Sequence, residues 1–208
     1  MSPVPRRLLE SPLPGLGRAL SSVEAAQIDK YLNILTKWHK KHRLVGSVEP
    51  AWLIENVILD SLCFLAPLPS GVNSIADVGS GAGVPGIPLA IVRPDLTMSL
   101  IEARQRRASF LSTVVRELGL GSVDVVCGRV EGLGQSYEHR FDAAVMRCAA
   151  EVGAILGSAF RLVRPGGAVV LSSNPKAPVP PGGEVLLVRT GSGTSRTFIR
   201  FAAPEVRR

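Results

Sequence analysis

Gly79, Gly81, Gly83 and Gly86 crowd into the stretch DVGSGAGVPGIPLA, residues 77–90, behind Asp77 and ahead of Glu102. Glycines at this spacing act through their backbone. They accept positive φ and let a ligand press on main-chain atoms, and the helix they lead into offers free N–H donors. The GxGxxG string formed by Gly81, Gly83 and Gly86 is shared by many nucleotide-binding turns. Asp77 narrows the choice. A carboxylate two residues before the first glycine would crowd a pyrophosphate, but it suits a ligand with a cationic amino group and no phosphate. S-adenosylmethionine is such a ligand. Glu102 follows the middle glycine by 102 − 81 = 21 residues, the place for an acid that takes both hydroxyls of a ribose. Arg129 and Glu131 in GRVEGL, and Arg147 in VMRCAA, follow two further apolar runs and should reach the same edge.

For these residues to meet, the turn must join a strand to a helix in a sheet whose strands all end on one side. From Val72 the sequence has that texture. SIADVG, TMSLIEA, SVDVVCG, FDAAVM and GGAVVLSS read as strands, and VPGIPLAIVR, RQRRASFLSTVVRELG and EVGAILGSAFRLV as the helices between them. The first strand should end at Asp77 and its helix start after Gly83. GGEVLLVRT and SRTFIRFAA, joined by GSGT, read as a closing antiparallel hairpin. Upstream, Ser21 and Glu24 have capping-box spacing ahead of Ile28, Tyr31, Leu32, Leu35 and Trp38, an amphipathic helix. A second helix, apolar nearly all round, should start at Pro50 and run through AWLIENVILDSLCFLAP. The expected organisation is an irregular arm (1–20), a helical cap (21–70) and an α/β domain (71–208) with a mostly parallel, doubly wound sheet.

Net charge is +7 over 208 residues, which favours a polyanionic partner, nucleic acid above all. Two clusters could hold phosphates. Lys37, Lys40, Lys41 and Arg43 surround Trp38 at the end of the first long helix. Arg104, Arg106 and Arg107 open the helix after Glu102, where cations oppose the helix dipole. No apolar run is long enough to span a bilayer, and Glu10 and repeated prolines break any signal-peptide core, so a cytoplasmic protein is expected. His39, His42 and His139 are scattered, as are Cys63, Cys127 and Cys148, so neither a metal nor a disulfide framework is expected.

NVILDSLCFLAPL, IADVGSGAGVPGIPLAIVRPDL, LIEARQRRASFL, GRVEGL and FDAAVMRCAA follow one another at a spacing that resembles the RsmG (GidB) family, over roughly residues 20–172. Those are bacterial 16S ribosomal RNA guanine-N7 methyltransferases that use S-adenosylmethionine. The resemblance implies a Rossmann-like class I methyltransferase fold, acting on ribosomal RNA or a small-subunit precursor, with a monomer expected. It makes Gly79, Ser80, Gly81, Gly83 and Gly86 the cofactor loop with Asp77 beneath, Glu102 the ribose acid, and Val130 and Glu131 the pair beside the adenine. Arg147 matches the arginine of the family's Ser-Arg-Ala signature, a cofactor-side and catalytic position. The chain departs from the pattern at Arg43-Leu44-Val45 (usually Asn-Leu-Thr), at Asn56-Val57 (usually Arg-His), at Met146 (usually Ser), and after the fifth strand, where a Leu-Lys-Gly is missing. Those changes fall on the substrate side. They keep open a member that binds the cofactor and acts on another substrate or on none. Outside the family, the rivals are a nicotinamide-dependent oxidoreductase and a noncatalytic RNA-binding module.

Overall fold

The structure, a computed structural model, describes residues 11–147, 152–175, 178–190 and 193–204, with backbone alone for 152–154. The first half of the expected arm and Cys148 lie outside the described residues. Helix α1 (Ser22–His42) starts as its sequence dictates. Ser21 Oγ accepts from Glu24 N at 3.2 Å, and Glu24 Oε2 accepts from Ser21 N at 2.7 Å, so the capping box forms. Ala25, Ile28, Tyr31, Leu32 and Leu35 make the buried face, and Arg43 ends the helix in the left-handed region at φ 45°.

The second helix starts at Pro50 as expected, but it is not of one type throughout. After Pro50–Leu53 it widens into a π turn over Ile54–Leu59, returns to α over Asp60–Leu62, and tightens to 3-10 at Cys63–Leu65; we call the whole α2. The Asp60 N–H bonds the Glu55 carbonyl, five residues back. A segment that is apolar nearly all round carries no period from which such a widening could be read.

Among the described residues, seven strands form one sheet: β1 (Ser74–Val78), β2 (Thr97–Glu102), β3 (Val123–Cys127), β4 (Phe141–Met146), β5 (Val163–Ser173), β6 (Glu184–Arg189) and β7 (Ser195–Ala202). Their order is β3-β2-β1-β4-β5-β7-β6, parallel from β3 to β5 and antiparallel for the last two. The expected hairpin is therefore present, and β7 lies between β5 and β6. The strands alternate between two cores. Ile75, Leu100 and Val145 join α1, α2, α3 (Gly86–Val92) and α4 (Gln105–Leu118) on one face. Ala76, Ile101 and Met146 join α5 (Val152–Leu162) on the other. Successive strands run out to the left and right of β1 and β4, so the carboxyl ends of these two flank the point where strand order reverses.

The two elements bounding the glycines differ slightly from expectation. β1 continues to Val78 and α3 begins only at Gly86. The turn therefore spans 79–85, longer than glycine spacing alone suggested.

Candidate functional site

Backbone bonds seat the glycine turn. The N–H groups of Gly79 and Ser80 both donate to the Ile101 carbonyl, at 2.8 and 3.0 Å, which hangs the turn on the end of β2. Gly79, Gly81 and Gly83 all have positive φ, but they serve different ends. A Cβ on Gly79 would meet nothing within 4 Å, whereas one on Gly83 would meet Ile87 and Leu111, at 2.5 and 3.1 Å. Gly86 has an ordinary φ, and a Cβ there would run into Leu100, Asp77 and Met98. Gly79 thus opens to the space above the turn, Gly86 lets α3 lie close on the sheet, and Gly83 leaves room for Ile87 of α3 and Leu111 of α4.

Asp77 is wholly buried, and its Oδ2 accepts from Gly86 N at 3.0 Å. The first N–H of α3 is therefore spent on this carboxylate. Its Oδ1 finds no partner among the described residues. Burial pushes the Asp77 carboxyl up to about 7. Glu102 is 5 % exposed and bridges the turn to the next helix, accepting from Gly81 N at 2.9 Å and Arg104 N at 2.8 Å. A carboxylate has further lone pairs beyond those two, so a diol could still be received. Ser80 points inward, its hydroxyl donating to the Asp77 carbonyl at 2.8 Å.

A cleft of about 260 Å³ opens above these residues at the carboxyl edge of the sheet. Val78 and Gly79 line it at and just past the end of β1, Ile101 and Ala103 about the end of β2, and Gly128 to Glu131 after β3, with Met146 ending β4, Arg147 following it, and Ile155 from α5. Of the residues singled out by sequence, Gly79, Arg129, Val130, Glu131 and Arg147 form its walls, while Asp77, Ser80, Gly81, Gly83, Gly86 and Glu102 stand behind them. Val78, Ile101, Ala103, Gly128, Met146 and Ile155 were not anticipated. They carry no reactive group, and only sheet order brings them to the cleft; the strand-end position is the one feature that could have flagged them. Apolar walls with a carboxylate and a guanidinium at the polar side, above an open glycine, fit the adenine, ribose and charged tail of S-adenosylmethionine.

A second, larger hollow of about 600 Å³ is lined by Lys40, Lys41, His42 and Arg43 together with Arg104, Gln105, Arg106 and Arg107. The two basic clusters read separately from sequence therefore form one basin. The cause is that α1 and α4 pack antiparallel. Gln27 and Lys30 reach Leu118 and Glu117 at one end, Trp38 sits edge-on to Phe110 in the middle with ring centroids 5.6 Å apart, and the two basic ends meet. Lys37 lines an adjoining hollow with Trp38, Lys41 and His42. Trp38 is half-buried, its ring also 5.3 Å from that of His42, so only part of it is open for stacking. Cleft and basin abut. Ala103 lines one and Arg104 the other, and Arg107 Nη1 comes within 3.7 Å of where a Gly81 Cβ would stand.

Arg147, on the cleft side of β4, is held by an ion pair: its Nε is 3.0 Å from Asp60 Oδ2. Among the described residues, no three His, Cys, Asp or Glu side chains gather as a metal site would require. Nor is any helix there long and apolar enough to cross a membrane.

The profile of a family described as rRNA small subunit methyltransferase G matches residues 24–174. Ribosomal RNA small subunit methyltransferase G of Methylobacillus flagellatus is 41% identical over 144 residues, 69% of this chain and 68% of that protein. The protein of the same name from Burkholderia lata is 34% identical over 192 residues, 91% of this chain and 82% of that one. Among solved structures, a SAM-dependent methyltransferase from Aquifex aeolicus superposes with a TM-score of 0.56, at 17% identity, over 81% of this chain and 98% of that chain. The O-methyltransferase TomG from Streptomyces achromogenes, solved with SAM, gives 0.53, at 16% identity, over 84% and 90%. At such identities these two likenesses speak for the fold.

Proposed function

The chain belongs to the rRNA small subunit methyltransferase G family, and from that premise we propose that it methylates guanine N7 of 16S ribosomal RNA with S-adenosylmethionine. One observation carries the reading beyond the family name. The cleft that fits the cofactor and the basin that fits a phosphate backbone share a border at Ala103 and Arg104. A base inserted over the cleft would thus belong to a strand whose phosphates rest on the basin.

In this reading Gly79 opens the turn to the cofactor, and Gly81, Gly83, Gly86 and Ser80 hold the turn in shape. Glu102 serves the ribose, Val130 and Glu131 the adenine edge, and Asp77 the cationic end from below. When bound, the cofactor supplies an electrophilic methyl group on a sulfonium. Guanine N7 presents an in-plane lone pair and needs no deprotonation, so the protein has no base to provide. Its task is alignment and exclusion of water. Ile101, Val130 and Ile155 supply dry walls, and Arg147 supplies a fixed cation that orients the reacting pair. Lys37, Lys40, Lys41, Arg43, Arg104, Arg106 and Arg107 hold the RNA. The partner is then the ribosomal small subunit or its RNA, in the cytoplasm.

The test is methylation of 16S RNA and of small subunits that lack N7 modification, followed by mass spectrometry of the nucleosides. N7-methylguanosine at one position is expected. Methyl incorporation at another atom, or none with either substrate, would overturn the assignment.

A further inference from the structure

β4 ends at Met146, so Arg147 has no strand of its own to hold its guanidinium. Distant parts of the chain do so instead. Asp60 of α2 faces two arginines. Its Oδ2 lies 3.0 Å from Arg147 Nε, and its Oδ1 accepts from Arg196 Nε of β7 at 2.7 Å. Arg196 Nη2 in turn donates to Glu55 Oε1 at 2.9 Å. The side chains of Asp60, Arg196 and Arg147 are 13%, 19% and 24% exposed. At that burial a hydrogen-bonded ion pair is screened far less than one on the surface.

The π turn explains how Arg196 meets both acids. Glu55 and Asp60 are five residues apart, and on an α-helix side chains so spaced point about 140° away from each other. The five-residue bond from Asp60 N to the Glu55 carbonyl widens the turn and brings both carboxylates to one side. There they fork a single guanidinium. Charge then alternates from Glu55 through Arg196 and Asp60 to Arg147.

We propose that Arg196 is a positioning residue for methyl transfer: held by Glu55 and Asp60, it occupies one oxygen of Asp60 and so sets how Asp60 holds Arg147 against the cleft. With Arg196 gone, the Asp60 carboxylate is free to turn and take Arg147 in a two-pronged pair, which draws the guanidinium away from the cofactor. This role rests on the methyltransferase reading of the cleft.

The experiment is a double-mutant cycle in the full chain between Arg196→Gln and Arg147→Gln. It is read as S-adenosylhomocysteine affinity by calorimetry and as kcat for methyl transfer to small subunits, with Tm recorded for each variant. Arg196→Gln alone is expected to weaken both readouts by about tenfold, and to change neither once Arg147 is glutamine. Equal losses in both backgrounds, or no loss in the first, would overturn the role, whatever happens to Tm. If Arg196→Gln does not fold, Arg196→Lys takes its place under the same criterion, since a lysine keeps the cation but cannot fork both acids. A wild-type chain that binds no S-adenosylhomocysteine would overturn the reading of the cleft itself. An additive cycle in a wild type that binds it overturns the positioning role alone.

Discussion

The hydroxyl of Tyr31 donates to the carbonyl oxygen of Ala82 at 2.7 Å, in the interior between the first helix and the glycine turn. Burial raises the Tyr31 pKa above the ordinary phenol range, so the group stays a donor. Tyr31→Phe removes the donor and leaves a buried carbonyl short of a partner, at a cost of about 1–3 kcal/mol in unfolding free energy. Because that carbonyl belongs to the turn, S-adenosylhomocysteine affinity should fall as well. Denaturant melts and calorimetry measure the two effects; unchanged affinity in a destabilised variant would mean that the turn keeps its shape without Tyr31.

Gly79 and Gly86 should respond oppositely to the same added methyl group. Gly79→Ala places it in open space at φ 75°, so the fold loses about 1–2 kcal/mol to backbone strain while the cleft loses its open floor. Cofactor binding is the larger casualty. Gly86→Ala drives the methyl into Leu100, Asp77 and Met98 and should cost about 1–3 kcal/mol of stability through overpacking. Equal affinity losses in the two variants would contradict this division of labour.

The basin should be visible in salt dependence. Reversing Lys40 and Lys41 together to glutamate ought to reduce the slope of log affinity for RNA against log salt by about 1 for each phosphate that no longer meets a cation. Arg106→Glu, from the other helix, should do the same, and S-adenosylhomocysteine affinity should stay at the wild-type value for the lysine pair. An unchanged slope in both would leave the basin without an RNA role.

Asp77 carries a pH signature. Its folded carboxyl, raised by burial to about 7 from 3.8, keeps a proton that the unfolded chain gives up. Between those values the folded state binds more protons, so this group's contribution to stability is lost as pH rises towards 7. Asp77→Asn cannot titrate. Relative to wild type, the variant should therefore gain about 1–3 kcal/mol between pH 5 and pH 8 in the absence of ligand. Urea unfolding at the two pH values measures it, and a constant difference would mean that Asp77 does not titrate there.

Where neighbours in sequence decide the outcome, the sequence was readable. Ser21 and Glu24 announce the start of α1 because both halves of the capping box lie within one turn. The βα alternation and the closing hairpin follow from strand period and turn residues. The glycine turn was legible as a candidate site, but not which of its glycines is left open and which are packed against. That depends on Leu100 and Leu111, which pack across from other elements. The single basin was also hidden, since Lys40 and Arg104 come together only through the antiparallel packing of α1 on α4. Arg196 gave no sign at all. Its partners, Glu55 and Asp60, are far away in sequence and share a face only because α2 widens to a π turn.

The position of β7 sets an order of assembly. Translation produces β6 first, yet among the described residues β6 pairs only with β7, and β7 must lie against β5. Until β7 has left the ribosome, the edge of β5 is bare and β6 has nowhere to dock, although the parallel strands and their helices can already collapse. Arg196 arrives with β7. On the proposed role of Arg196, the growing chain acquires its cleft, and the turn that floors it, before it acquires the clasp on Arg147, and with that order the means to recognise a cofactor before the means to use it.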